Sequence, residues 1–103
     1  GVERQTAAGS QRGHHRRAED RRELFEEAAE TFHAAAERWP GSALEEDGLF
    51  MAGEGYFFAD QYPEANEQYE LLLEKYPNSK HLDIVESRRF SIAQFWLGIH
   101  DQD

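Results

Sequence analysis

The chain has 103 residues and a formal net charge of −10, and 39% of its residues are hydrophobic and 13% aromatic. This length and composition suit one compact domain with a modest core. A folded body this acidic repels phosphate backbones, so we do not expect it to bind nucleic acid. The absence of cysteine excludes a disulfide framework and a thiolate nucleophile.

The charge is unevenly distributed along the chain. Residues 1–22 carry six arginines and three acidic residues, whereas residues 23–103 carry five basic residues and 18 acidic residues. Residues 1–19 hold no aromatic and almost no aliphatic side chain, so we expect a flexible basic leader there. No apolar run approaches the roughly 18 residues of a membrane span. Any membrane association is therefore expected to come from parts outside this chain.

Apolar residues recur at spacings of three and four from about residue 20 onward, which is typical of amphipathic helices. Pro40 and Gly41 end the first helix, because proline disfavours the helical conformation at the residue before it. Ser42 and Glu45 then form the pattern of a capping box, which opens a second helix. Pro63 suits the first position of a third helix. The sequence predicts four helices, at about residues 20–39, 43–59, 63–76 and 81–98.

Two similar phrases stand 37 residues apart, "ERWPGSALEED" and "EKYPNSKHLD". A shift of 37 residues pairs residues of like type in the first and third helices: Phe25 with Tyr62, Ala28 with Ala65, Phe32 with Tyr69, Ala35 with Leu72, Trp39 with Tyr76, Pro40 with Pro77 and Ser42 with Ser79. A shift of 40 residues suits the second and fourth helices: Phe50 with Phe90, Gly53 with Ala93 and Tyr56 with Trp96. Periods of this size, built from paired helices, indicate an α-solenoid.

The segment from Glu46 to Ser79 resembles a tetratricopeptide repeat. The matching positions are Leu49, Ala52, Gly53, Tyr56, Ala65, Tyr69, Leu72 and Pro77. Gly53 and Ala65 fall where the two helices of a unit approach closely. The resemblance implies an all-α fold over residues 20–100, in which antiparallel helix hairpins form a right-handed superhelical stack, as part of a longer array.

The phrases "YPNS" and "RRFSIAQFWLG" make the chain similar to the BamD-like group of outer-membrane assembly lipoproteins. That resemblance implies a bacterial, periplasmic scaffold that binds partner subunits or extended segments of substrate proteins. A periplasmic repeat protein of the Tol-Pal system shares "YPNS" and is an alternative. A second alternative, from another class, is a structural spacer or oligomerisation segment of a larger repeat protein.

In repeats of this kind, the first helix of each pair lines the concave surface. The resemblance places the candidate partner-binding residues there: Asp47, Phe50, Glu54, Phe57, Phe58, Phe90, Gln94 and Leu97. Aromatic rings beside acids suit a peptide with apolar and basic side chains. In the alternative interpretation, Phe50, Phe57 and Phe90 are core between repeats, and Phe58 is the better exposed candidate.

No motif in the chain predicts catalysis, a metal site or a cofactor. His14 and His15 lie in the leader near Glu19 and Asp20, and adjacent histidines there do not preorganise a metal site. The stretch "GEGYFF" lacks the third glycine and the preceding strand of a dinucleotide fingerprint. The fourth helix has no following partner in the sequence. We therefore expect its Phe95 and Trp96 side to be covered by further sequence or by another chain, with self-association as one outcome.

Overall fold

The computed structural model describes the backbone of residues 2–101 and the side chains of residues 17–98. Four helices follow one another: α1 (Val2–Arg38), α2 (Ala43–Phe58), α3 (Tyr62–Lys75) and α4 (Leu82–Asp101). Each packs on the next in an antiparallel order set by short connections, and the described residues form no β-strand. The predicted all-α stack of helix hairpins is confirmed.

Helix α1 begins at Val2, whereas the sequence pattern predicted a start at about residue 20. Residues 2–19 contain no proline and several good helix formers, and helix propensity does not depend on burial. The scarcity of apolar residues argued against packing of this segment, which is a separate property from helix formation. The flexibility of the basic leader stays a prediction.

The first connection confirms the predicted stop and cap. Gly41 has a φ of 75°, a left-handed conformation that glycine adopts without strain. The side chain of Ser42 accepts a hydrogen bond from the backbone N–H of Glu45 at 3.3 Å. Glu45 reaches back to the N–H of Gly41 at 2.9 Å, one residue earlier than in an ideal capping box.

The second connection is similar to the first in sequence but differs in backbone conformation. Asn78 replaces Gly41 without a positive φ. Ser79 Oγ accepts from the backbone N–H of His81 at 3.1 Å and donates to Glu46 Oε2 at 2.6 Å. This connection is therefore attached to the start of α2 as well as to α4.

The core lies between α2 and α3, and α1 and α4 complete it from either side. Its largest fully buried side chains are Tyr69 and Leu72 of α3 and Val85 and Ile92 of α4. Gly53 explains the close approach of α2 and α3, because a Cβ at that position would lie 2.6 Å from Cδ1 of Tyr69. The predicted close approach at Gly53 and at the fully buried Ala65 is confirmed.

Two further glycines of α2 face α1. A Cβ on Gly48 would lie 2.9 Å from the carbonyl oxygen of Phe32, and one on Gly55 would lie 2.7 Å from that of Phe25. These neighbours are backbone atoms, so they move only if the whole of α1 moves. The glycine content of α2 therefore reflects close packing on both sides of the helix.

Candidate functional site

The side of α2 that faces α4 carries a series of polar contacts that join the two helices. Asp47 Oδ1 lies 2.9 Å from Nε2 of His81 and 3.2 Å from Nζ of Lys80. The hydrogen bond from His81 holds the pKa of the Asp47 carboxyl below its ordinary value. The His81 ring also stacks on Phe50, with centroids 3.9 Å apart and planes 1° apart. The N-terminal half of α2 is thus covered by the start of α4.

Glu54 is the centre of the next contact along the same side. Arg88 of α4 donates to both of its carboxylate oxygens at 3.0 Å, and the hydroxyl of Tyr69 donates to Oε1 at 2.7 Å. Paired geometry of this kind is the strongest that arginine forms with a carboxylate. The hydrogen bonds to the Glu54 carboxylate raise the pKa of Arg88. The pKa of Tyr69 is raised first by burial and second by its hydrogen bond to Glu54. Glu54 therefore ties α2 to α3 and α4 at one point.

Beyond Glu54, the guanidinium of Arg88 lies 5.1 Å from the ring centroids of both Phe57 and Phe58. We call the set formed by Asp47, Phe50, Glu54, Phe57 and Phe58 of α2 with Arg88 of α4 and His81, which directly precedes α4, the α2–α4 seam. Its acids and bases pair within the chain. The seam is mainly a joint between successive repeats.

A continuous row of five aromatic rings crosses the far end of the seam and touches all four helices. We call it the aromatic row: Phe25, Phe58, Phe57, Tyr62 and Phe95. Neighbouring centroids along it are 5.7, 5.4, 5.5 and 4.9 Å apart. These distances are typical of favourable aromatic pairs. The row assembles only when α1, α2, α3 and α4 pack together.

Three rings of the row remain accessible to a partner. Phe25, Phe58 and Phe95 are 39%, 45% and 50% exposed, while Phe57 and Tyr62 are partly buried beneath them. The rigid packing below leaves these rings less conformational entropy to lose on binding. Exposed, preorganised aromatic side chains are the residue type that most often dominates protein interfaces.

Acidic residues line a separate face of α1. Glu23, Glu26, Glu27 and Glu30 line one shallow groove, and at helical spacing this stripe lies on the opposite side of α1 from Phe25. Glu26 accepts a hydrogen bond from Gln61, and Arg22 pairs with Asp60 at 3.3 Å. Most of the acidic groove is free of such pairing among the described residues. The electrostatic field there favours basic side chains.

The structure separates the eight predicted partner-binding residues into two groups. The five on α2 lie in the seam, where Phe50 is only 8% exposed and Phe57 is partly buried, whereas Phe58 is exposed as expected. The three on α4, Phe90, Gln94 and Leu97, are all exposed. Their role in binding stays a prediction. The alternative interpretation, in which these phenylalanines are core between repeats, is confirmed for Phe50 and wrong for Phe90, which is 65% exposed.

Phe90 lines a different groove from the aromatic row. That groove lies between α3 and α4, where Phe90 is joined by Asn66, Arg89, Ile92, Ala93 and Trp96. Arg89 pairs there with Asn66 at 3.2 Å and with Glu70 at 3.6 Å. Arg89 thus faces Glu70 of α3, whereas the adjacent Arg88 faces Glu54 of α2.

Sequence reasoning did not include Phe25, Tyr62 and Phe95 among the candidate partner-binding residues, although it expected the Phe95 side of α4 to be covered by further sequence or by another chain. The shift of 37 residues already paired Phe25 with Tyr62, and two aromatic residues at equivalent positions of neighbouring repeats are a usable signal. Phe95 carries no such signal. Its contact with Tyr62 depends on how α4 rotates against α3, which side-chain packing decides.

A buried carboxylate secures the other end of α2. Glu45, 5% exposed, accepts hydrogen bonds from Lys75 Nζ at 2.6 Å, the Tyr76 hydroxyl at 2.8 Å and the Gly41 N–H. The bond from Lys75, followed by those from Gly41 and Tyr76, lowers the Glu45 pKa from 4.5 to about 2. A charge so fully satisfied orders the joint between α1, α2 and α3.

Within residues 17–98, the acidic and histidine side chains do not gather into a group of three or more that could hold a metal ion. In the part of the chain that the structure describes, no helix combines the length and the apolar character that crossing a membrane requires. The expectations of no enzymatic activity and no cofactor stay predictions.

The fold and this surface define a helical repeat scaffold. A protein-family model described as tetratricopeptide repeat matches residues 47–79, which span most of α2 and all of α3. Residues 47–79 are therefore similar to a tetratricopeptide repeat. Repeats of this family are generally scaffolds for protein–protein interaction rather than enzymes. Comparisons with curated proteins and with solved structures gave no match.

Proposed function

We propose that the chain binds a peptide segment of a partner protein through the exposed rings of the aromatic row, Phe25, Phe58 and Phe95. The observation that supports this proposal is the continuity of the row across four helices, with three accessible rings supported by two partly buried ones. A surface of this kind offers a partner several aromatic contacts whose geometry is already fixed.

The acidity of the chain favours a basic partner. Because residues 23–103 carry 18 acidic and five basic residues, the preferred peptide carries lysine or arginine next to its apolar residues. Arg88 adds little positive charge to the surface, since Glu54 neutralises it. The partner is therefore a basic, apolar segment and not an acidic one.

The cellular setting that we propose is the periplasmic side of the bacterial outer membrane, in the assembly of outer-membrane proteins. The support is the resemblance of "YPNS" and "RRFSIAQFWLG" to that group of lipoproteins. A Tol-Pal-associated role and a purely structural spacer remain the alternatives. Cell fractionation of the full-length gene product tests the setting, and recovery in the cytoplasmic fraction would contradict it.

A peptide array tests the binding surface without knowledge of the partner. Basic-aromatic and acidic-aromatic peptides of matched length are probed with the chain and with Phe58→Ala. We expect the chain to retain basic-aromatic peptides and Phe58→Ala to lose most of that signal. Met51→Ala is the matched control, because Met51 lies on the same helix outside the aromatic row and is 39% exposed.

Equal retention of both peptide classes, or an unchanged signal from Phe58→Ala with helicity intact, would contradict the proposal. The spacer alternative expects no peptide retention from any variant.

A further inference from the structure

Helix α4 repeats α2 but lacks the covering that α3 gives to α2. On α2, Gly53 lies against the ring of Tyr69, and Tyr69 is fully buried. The shift of 40 residues places Ala93 and Trp96 where α2 has Gly53 and Tyr56. Ala93 is exposed and Trp96 is 45% exposed. The face of α4 that corresponds to the α3-covered face of α2 is therefore open.

Helix α1 has the complementary property. It is the equivalent of α3 by the shift of 37 residues, and α3 uses three fully buried residues to cover α2: Ala65, Tyr69 and Leu72. Their counterparts on α1 are Ala28, Phe32 and Ala35. Phe32 is 36% exposed, and the two alanines are partly exposed. Among the described residues, α4 thus displays an α2-like face and α1 an α3-like face, and neither face is covered.

We propose that a second copy of this chain supplies the missing partner, with α1 of one molecule packing on α4 of the next as α3 packs on α2. In this arrangement Phe32 lies over Ala93 and beside Trp96. The contact is heterologous, since it joins two different faces, so it propagates the solenoid from copy to copy. This inference deepens the oligomerisation alternative and does not use the aromatic row.

The charges agree with this register. Within the chain, Glu37 of α1 and Lys75 of α3 line the same groove. At the proposed interface the pair lies one repeat further along the stack. By the shift of 37 residues, Glu74 of one copy takes the place of Glu37, and Arg38 of the next copy takes the place of Lys75. Both residues are exposed. Residues of opposite charge therefore line one groove at the proposed interface, as they do inside the chain.

We expect the proposed contact between copies to be weaker than the equivalent contact of α3 with α2 within the chain. A Cβ at position 53 would lie 2.6 Å from Cδ1 of the Tyr69 ring, and Ala93 carries a Cβ at the equivalent position. The Phe32 ring must therefore sit farther out than Tyr69 does. We expect an association that depends on concentration, with a separately folded chain at high dilution.

Sedimentation velocity on two complementary variants tests the inference. Phe32→Glu disables the α1 face and Trp96→Glu disables the α4 face. The unmodified chain should form species larger than a dimer as concentration rises, and each variant alone should stay monomeric. Mixed in equal amounts, the variants keep one intact pair of faces and should form a dimer that does not grow further.

Matched controls are Leu71→Glu and Ile84→Glu. Leu71 is as exposed as Phe32 at 36%, and Ile84 is as exposed as Trp96 at 45%, and neither lies on the proposed faces. Both controls should associate like the unmodified chain. Circular dichroism confirms that each variant keeps its helicity. Ala93→Gly, which restores the space that Gly53 provides, should shift the association to lower concentration.

Three outcomes overturn the inference. A monomer at every concentration means that another helix covers these faces. Association of Phe32→Glu alone means that α4 pairs with α4. Equal weakening by Leu71→Glu means that the contact is not specific to the α1 face. Peptide retention by Trp96→Glu in the array experiment is unaffected by these outcomes, so the two proposals fail separately.

Discussion

Helices α2 and α4 occupy equivalent positions in neighbouring repeats, and their surroundings differ sharply. Helix α2 is enclosed by α1, α3 and α4, whereas α4 packs mainly on α3 along Ile92 and Phe95. The equivalent residues Phe50 and Phe90 are 8% and 65% exposed. In a solenoid, equivalent sequence positions become core or surface according to the presence of a neighbouring unit.

The largest effect is expected at this equivalent pair. Phe50→Ala removes a buried ring that stacks on His81 and should lower the free energy of unfolding by about 3 to 4 kcal/mol. Phe90→Ala should change it by no more than about 0.5 kcal/mol. Urea unfolding at a concentration where the chain is monomeric measures both values. Similar losses from the two substitutions would contradict the difference between the helices.

The glycines of the two helices give the next comparison. Gly55→Ala places a Cβ 2.7 Å from the carbonyl oxygen of Phe25 and should destabilise the chain by about 2 to 3 kcal/mol, because α1 must move. A Cβ on Gly98 of α4 meets nothing within 4 Å, so Gly98→Ala should stabilise by up to about 1 kcal/mol. Thermal unfolding of both variants checks the opposite signs.

The start of α2 has a buried carboxylate, Glu45, whereas Val85 stands at the equivalent position of α4. Replacement of the Glu45 carboxylate in Glu45→Gln should cost about 2 kcal/mol at neutral pH. The folded pKa is lowered from 4.5 to about 2, so this stability is complete above pH 4.5 and disappears as pH falls toward 2. Urea unfolding across that range should show a smaller decline for Glu45→Gln than for the unmodified chain. Parallel declines would contradict the role of Glu45.

The smallest effects compare two adjacent arginines of α4. Arg88→Met breaks the paired contact with Glu54 and should cost about 1 to 2 kcal/mol. Arg89→Met loses a contact with Glu70 at 3.6 Å between exposed groups and should cost about 0 to 1 kcal/mol. High salt should abolish the Arg89 effect and leave most of the Arg88 effect. Equal salt sensitivity of the two variants would mean that salt screens the Arg88–Glu54 pair as strongly as the exposed Arg89–Glu70 pair.

Much of the fold was predictable from the sequence because the same helix-ending and helix-capping signals occur in both repeats. Proline, a turn residue and serine mark both connections, and the predicted bounds of α2 and α3 differ from the structure by about one residue at each end. The start of α1 was not predictable in this way. Residues 2–19 lack the apolar spacing on which the helix assignment depended, although their backbone is helical.

The candidate site was less predictable than the fold. The resemblance to tetratricopeptide repeats placed the candidate residues on one side of α2, yet Asp47 and Phe50 contact His81 and Glu54 contacts Arg88. The accessible surface adds Phe25 and Phe95, which lie 70 residues apart in the sequence. Periodicity describes one helix at a time, and such a surface is a property of several helices together.

The sequence by itself determined the helices, their connections and their repeat relation, because capping, proline geometry and apolar spacing act locally. Only the tertiary structure decided which equivalent residues are buried and which rings meet. Burial depends on the neighbours of each helix. The His81 ring, directly before α4, covers Phe50, whereas Phe90 has no cover among the described residues. That asymmetry also fixes where this scaffold offers a surface to another molecule.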